Sequence, residues 1–225
     1  CRPDIANAVR ELSKFMVDPT VIHLDEARRV LQYLVDTKHI GITYTAAKVL
    51  GPDGKVMPSG VNVAFTDASY AECIVSRKST SGYVILRNGG AISWSSHTQK
   101  QVSLSSADAE YKACSDAARE CMFMRKLDRD FRDTPLAQRD REASAWYDFS
   151  TSPNLTVQPS DSAPATVIFE DNEATIKWVQ NPCHHARTKH IDVCYHFIRD
   201  EASPERSNID VQYIKTTSQL ADVLT

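Results

Sequence analysis

Four carboxylates set far apart in a 225-residue chain, Asp67, Glu110, Asp171 and Asp222, each fall where the residue pattern changes between strand, helix and loop. Gathered by folding, they would present hard oxygen donors, the ligand type that Mg²⁺ takes. A pair of such ions about 4 Å apart can activate water and hold the leaving group in a phosphodiester hydrolysis. The pattern therefore points to metal-assisted phosphoryl chemistry. A single Asp at a strand end is more often a solvated turn residue, so the weight rests on the set rather than on any member.

The elements that must position these residues follow from periodicity. Val61 to Thr66 alternates as a half-buried strand and delivers Asp67 at its end. Further strands are expected at 81–87 and 91–96, joined by a turn at Asn88-Gly89-Gly90. A helix from about Ser106 to about Leu127 carries Glu110 in its first turns, with Tyr111, Cys114, Ala118 and Cys121 on one stripe. The apolar run 166–170 ends at Asp171, and helices are expected from Asn172 to Gln180 and from Thr188 to about Glu201. Strand 209–214 then leads to the start of a last helix bearing Asp222. Residues 129–165, rich in Asp, Arg, Ser, Thr and Pro, read as a long and largely disordered insertion. Residues 1–50 read as helical: one helix starts at Asp4 or Asn7, and another spans His23 to Thr37. Gly51-Pro52-Asp53-Gly54 and Pro58-Ser59-Gly60 mark a boundary before an α/β unit at 61–225.

Asp108 competes with Glu110 for the role on the helix. Ser105 and Asp108 have the Ser-x-x-Asp spacing of a helix start, so Asp108 is placed to answer free amides there. Glu110 has no such local partner and is free to face a neighbouring strand.

Seven segments occur in a fixed order: Phe65-Thr66-Asp67-Ala68, Arg77-Lys78-Ser79-Thr80-Ser81-Gly82-Tyr83, Ala91-Ile92-Ser93-Trp94-Ser95-Ser96, Leu104 to Tyr111, Glu170-Asp171-Asn172, Arg187 to Asp192, and Gln219-Leu220-Ala221-Asp222. Together they resemble the ribonuclease H domain of copia-type retrotransposon polyproteins. Residues 1–50 resemble the tail of the reverse transcriptase that precedes it. The resemblance implies a five-stranded mixed sheet with helices on both faces, cleavage of the RNA strand of RNA/DNA hybrids, and two Mg²⁺ ions, with Mn²⁺ as a substitute. It implies that Asp67 bridges both ions, with Glu110 and Asp171 completing one site and Asp222 the other. It also implies missing partners, the rest of the reverse transcriptase and other polyprotein regions. Polymerase activity is not expected, since no adjacent Asp-Asp pair occurs in the chain. Cellular ribonucleases H commonly carry a histidine before the last carboxylate, whereas this loop is Lys215-Thr216-Thr217-Ser218.

Nucleic-acid contacts are expected at two places. Arg77, Lys78, Ser79 and Thr80 follow the first sheet strand, where charge can hold a backbone and hydroxyls can reach sugars. Arg187, Lys189 and His190 surround a helix start at Thr188, a natural seat for phosphate. Local charge of this kind matters more than the net charge of −3. Cys183, His184, His185, His190, Cys194 and His196 lack paired Cys-x-x-Cys spacing, which argues against zinc. Trp94 and Trp178 sit in regular apolar patterns and read as core aromatics.

The six dispersed cysteines suit reduced thiols, and no apolar run or leader pattern marks a membrane span or a secreted chain. An intracellular place is expected, either cytoplasmic in a virus-like particle or nuclear. The Asn154-Leu155-Thr156 acceptor pattern carries no weight in that setting. The chain begins at Cys1 and ends three residues after Asp222, so a fragment is expected. A catalytically inert remnant that folds or binds nucleic acid is the competing reading.

Overall fold

Alternation along each strand fixes which side chains face which layer, and strand pairing then decides where the carboxylates meet. The computed structural model describes residues 1–45, 49–51, 54, 56–57, 60–74, 76–133, 164–180 and 192–225. Helices α1 (Ala6–Ser13) and α2 (Val21–Asp36) come first, followed by a short antiparallel pair, β1 (Val49–Leu50) and β2 (Val56–Met57). The main sheet contains β3 (Asn62–Ser69), β4 (Thr80–Arg87), β5 (Gly90–Thr98), β6 (Thr166–Glu170) and β7 (Ile209–Tyr213). Its helices are α3 (Ser106–Asp133), α4 (Glu173–Gln180) and α5 (Asp192–Ala202).

The strand order is β5-β4-β3-β6-β7, antiparallel between β5, β4 and β3, and parallel between β3, β6 and β7. This is the ribonuclease H-like mixed sheet that the resemblance implies. Between β4 and β5 the chain reverses through Asn88 and Gly89, both at positive φ (52° and 80°), the backbone form that a tight hairpin favours.

Alternation assigns Ala64, Ile85, Ile168, Ile209 and Val211 to one face of the sheet. There they pack with Tyr111, Cys114, Ala118 and Cys121 of α3, Ile176 and Val179 of α4, and Ile198 of α5. Val63, Phe65 and Val84 point the other way, into a second cluster with Ile214, Ala221 and Leu224. Ala6 and Ile42 of the first segment pack against that cluster. Strand β3 is thus buried on both faces rather than half-buried, because a distant part of the chain covers its second face.

Other contacts hold the first segment in place. Tyr44 donates its hydroxyl to the Ala91 carbonyl at 2.7 Å, and its ring lies so close to Gly90 that a Cβ there would stand 2.4 Å from Tyr44 Cδ1. Only glycine permits that approach.

Several boundaries differ from the sequence expectation. Helix α3 continues to Asp133, past the point where the insertion was expected to begin, and 134–163 lie outside the described residues. The last helix is instead a 3₁₀ turn, Leu220–Leu224. Among the described residues, no helix is long and apolar enough to cross a membrane.

Candidate metal centre

Parallel strands β3 and β6 lie side by side, and the chain leaves β3 toward β4 but reaches β7 on the other side of β6. A crevice opens outside the carboxyl ends of strands at such a switch point. Asp67 stands near the end of β3, and Asp171 directly follows β6. Helix α3 crosses this end of the sheet with its first turns, where Glu110 lies.

The start of α3 explains which acid faces inward. Ser105 Oγ accepts from the Asp108 amide at 3.1 Å, and Asp108 Oδ2 accepts from the Leu104 amide at 2.9 Å and from Lys112 Nζ at 3.1 Å. Asp108 is thereby held to the helix end. Glu110, two residues on, is rotated about 200° around the axis at 3.6 residues per turn. It projects toward Asp67.

Oxygens of Asp67, Glu110 and Asp171 all lie within 4.8 Å of one another. Two oxygens on opposite sides of one Mg²⁺ are separated by about 4 Å, so small side-chain adjustments suffice to share an ion. Asp222 is exposed on its 3₁₀ turn and outside this group of three. Its charge nevertheless reaches Asp67, and that of Asp171 reaches Asp222.

The electrostatics fit a cation. Glu110 is pushed up to about 9, first by burial and then by the carboxylates of Asp67 and Asp171, with the Ala68 amide opposing. Asp67 is raised by burial, against a hydrogen bond from Thr225 Oγ1, and further by Asp222 and Asp171. Glu110 Oε2 is buried without a hydrogen-bond partner. Hard donors, two of which (Asp67 and Glu110) have raised affinity for protons, together with an unsatisfied buried oxygen suit a divalent ion.

Sequence reasoning passed over Glu170 as a site residue. It is 0% exposed, its carboxyl is raised well above the ordinary range by burial and then by Glu110, and its Oε2 has no hydrogen-bond partner. The signal was available in β6, where Thr166, Ile168 and Glu170 share the buried parity of the strand. Thr216 was also missed: its hydroxyl donates to Asp171 Oδ2 at 2.7 Å from the loop that lacks histidine.

The expected nucleic-acid contacts divide. Arg77 is exposed and Lys78 half-buried on the turn after β3. Ser79 and Thr80 are buried, which corrects the expectation that their hydroxyls reach sugars. Ser79 Oγ accepts from the Ala71 amide at 3.0 Å, and Thr80 Oγ1 donates to Glu72 Oε2 at 2.5 Å. Arg187, Lys189 and His190 lie outside the described residues, as do Cys183, His184 and His185.

No family model matches the chain. It is 31% identical over 224 residues to the retrovirus-related Pol polyprotein from transposon TNT 1-94 of Nicotiana tabacum. It is 34% identical over 224 residues to the Pol polyprotein from transposon RE1 of Arabidopsis thaliana. Both matches cover 100% of this chain but 14% and 13% of those polyproteins. The N-terminal ribonuclease H domain of rv2228c from Mycobacterium tuberculosis, solved as a fusion with maltose binding protein, overlaps 73% of this chain and 89% of that one. That overlap has a TM-score of 0.45 and 10% identity, so the fold rests on the strand order and register above. Matched end to end by these plant transposon proteins, the chain belongs to the retrovirus-related Pol polyproteins.

Proposed function

We propose that this chain is a metal-dependent endonuclease that hydrolyses the RNA strand of RNA/DNA hybrids as part of a retrotransposon polyprotein. The observation that carries the reading is the convergence of Asp67, Glu110 and Asp171 at the switch point of the sheet. Mg²⁺ ions held there by these residues, with Asp222 at the rim, would supply an activated water and neutralise charge on the scissile phosphate.

The protein's own contribution is to hold the donors in place. The hydroxyls of Thr225 and Thr216 orient Asp67 and Asp171 by hydrogen bonds to one oxygen of each. Helix α3 fixes Glu110 through its capped first turn, and burial keeps bulk water from the inner carboxylates. Arg77 and Lys78, with Arg187, Lys189 and His190, are proposed to hold backbone phosphates. We retain the two-part division as a proposal too, with 1–50 a reverse-transcriptase tail and 61–225 the nuclease unit.

A labelled RNA/DNA hybrid incubated with the folded chain and Mg²⁺ tests this. RNA fragments ending in 5′-phosphate and 3′-hydroxyl are expected, with duplex DNA uncut. Hybrid that is bound but left whole would instead identify an inert remnant.

A further inference from the structure

Gln219 lies between the last sheet strand and the closing 3₁₀ turn, and it is 6% exposed. Its amide Nε2 donates to the Thr66 carbonyl at 2.9 Å, with a longer contact of 3.5 Å to the Phe169 carbonyl. Its own carbonyl oxygen accepts from the Ala221 amide at 3.3 Å. One side chain thus joins β3, β6 and the turn that carries Asp222.

The place of this junction matters. Pairing between β3 and β6 runs from Val63 with Val167 to Phe65 with Phe169, and there it ends. Beyond that point β3 continues its pairing only with β4, while β6 continues with β7. Thr66 immediately precedes Asp67, and Phe169 immediately precedes Glu170 and Asp171. The Gln219 amide therefore bridges the two strands just below the acidic cluster, where their mutual pairing ends, through the buried Thr66 carbonyl and the half-buried Phe169 carbonyl.

The chemistry of the side chain suits this position. Glutamine offers two donor hydrogens and an acceptor without adding charge beside the carboxylates. Lysine would lack the acceptor for Ala221. Ionised glutamate would lack the donors and add a negative charge to the cluster.

We infer that Gln219 is a positioning residue that sets the separation of Asp67 from Asp171 and seats the Asp222 turn, and so governs how tightly the cluster holds a divalent cation. This rests on the metal-dependent reading above. Loss of a supporting residue of this kind typically lowers metal affinity roughly tenfold to a hundredfold.

The test uses the full 225-residue chain and Mg²⁺ alone as the probe, by calorimetry. Gln219→Met keeps a similar volume but removes both donor and acceptor. Its Mg²⁺ affinity is expected to fall at least about tenfold, with cleavage recovering at high Mg²⁺ and KM for hybrid little changed. A folded variant with unaltered Mg²⁺ affinity overturns the proposal, even if its melting temperature drops, because a merely structural role would produce that drop alone. Should the variant fail to fold, nuclear magnetic resonance of the unaltered chain decides. The Gln219 side-chain protons are expected to exchange slowly and to shift on Mg²⁺ addition, and free exchange with no shift overturns the proposal. If the unaltered chain binds no Mg²⁺, the metal-dependent reading itself fails, an outcome distinct from normal binding by both proteins.

Discussion

The two halves of the acidic cluster are built differently. Glu110 and Glu170 form its inner half, 7% and 0% exposed, each with a buried oxygen that has no hydrogen-bond partner. Asp171 and Asp222 form the outer half, one half-buried and bonded to the Thr216 hydroxyl, the other exposed on a 3₁₀ turn. Asp67 lies between them. Buried like charges with one oxygen of each left without a donor are unfavourable, so the inner half favours protons or a cation. Water meets much of that need in the outer half. Cation binding should therefore be felt most strongly in the stability of the inner half, and in access to substrate at the outer half.

The largest effect is expected at the residue common to both halves. Asp67→Asn should lower hybrid cleavage by roughly a thousandfold, about 4 kcal/mol of barrier, while hybrid binding measured by anisotropy changes little. Cleavage within tenfold of the unaltered chain would break the proposed arrangement.

Next in size is a pH effect from the inner half. Glu110 sits near 9 in the folded protein against an ordinary value of 4.5, so between those limits the folded state binds a proton that the unfolded state releases. Stability from this group is therefore full below about pH 4.5 and declines as pH rises toward 9. Without divalent ions, the melting temperature should fall across this window, and Glu110→Gln should flatten the fall. Relief of about 1 kcal/mol corresponds to roughly 2–4 °C in a domain of this size. At pH 8, Mg²⁺ should raise the melting temperature of the unaltered chain but hardly that of the variant. Equal pH slopes in both proteins would mean that the inner half carries no such strain.

Much of this site was legible in the sequence, for reasons that can be stated residue by residue. Strand alternation places Asp67 and Asp171 near strand ends, and the Ser-x-x-Asp spacing of Ser105 and Asp108 separates Asp108 from Glu110. Alternation in β6 also points to Glu170, which shares the buried parity of Thr166 and Ile168. Contacts between distant segments left no local trace. Nothing near Val63 or Phe65 announces that Ala6 and Ile42 cover the far face of β3. Nothing near Gln219 shows that two parallel strands part where its amide lies. Ser79 and Thr80 misled because a polar loop pattern does not reveal whether hydroxyls are spent inside the protein.

The outer half should also respond to salt. If Arg77 and Lys78 touch phosphates, Arg77→Gln and Lys78→Gln should each reduce the salt slope of hybrid binding by about one unit. Cleavage at saturating hybrid and Mg²⁺ should change little. An unchanged slope would return both residues to ordinary solvated surface and leave the outer half without an identified grip on substrate among the described residues.

Asp222 provides the smallest effect and the sharpest check on the comparison. Its turn is short, but Ala221 and Leu224 are buried beneath it, and Leu224 and Thr225 pack so closely on Gly82 that a Cβ there would stand 2.8 Å from each. The turn is therefore docked while the carboxylate itself remains exposed. Asp222→Asn should leave the fold intact and lower cleavage by roughly tenfold, about 1.4 kcal/mol of barrier, far less than Asp67→Asn. Parallel cleavage assays of the two variants decide the point. Equal losses would show that the exposed rim is as indispensable as the central aspartate, and burial would then be the wrong guide to which carboxylates the chemistry depends on.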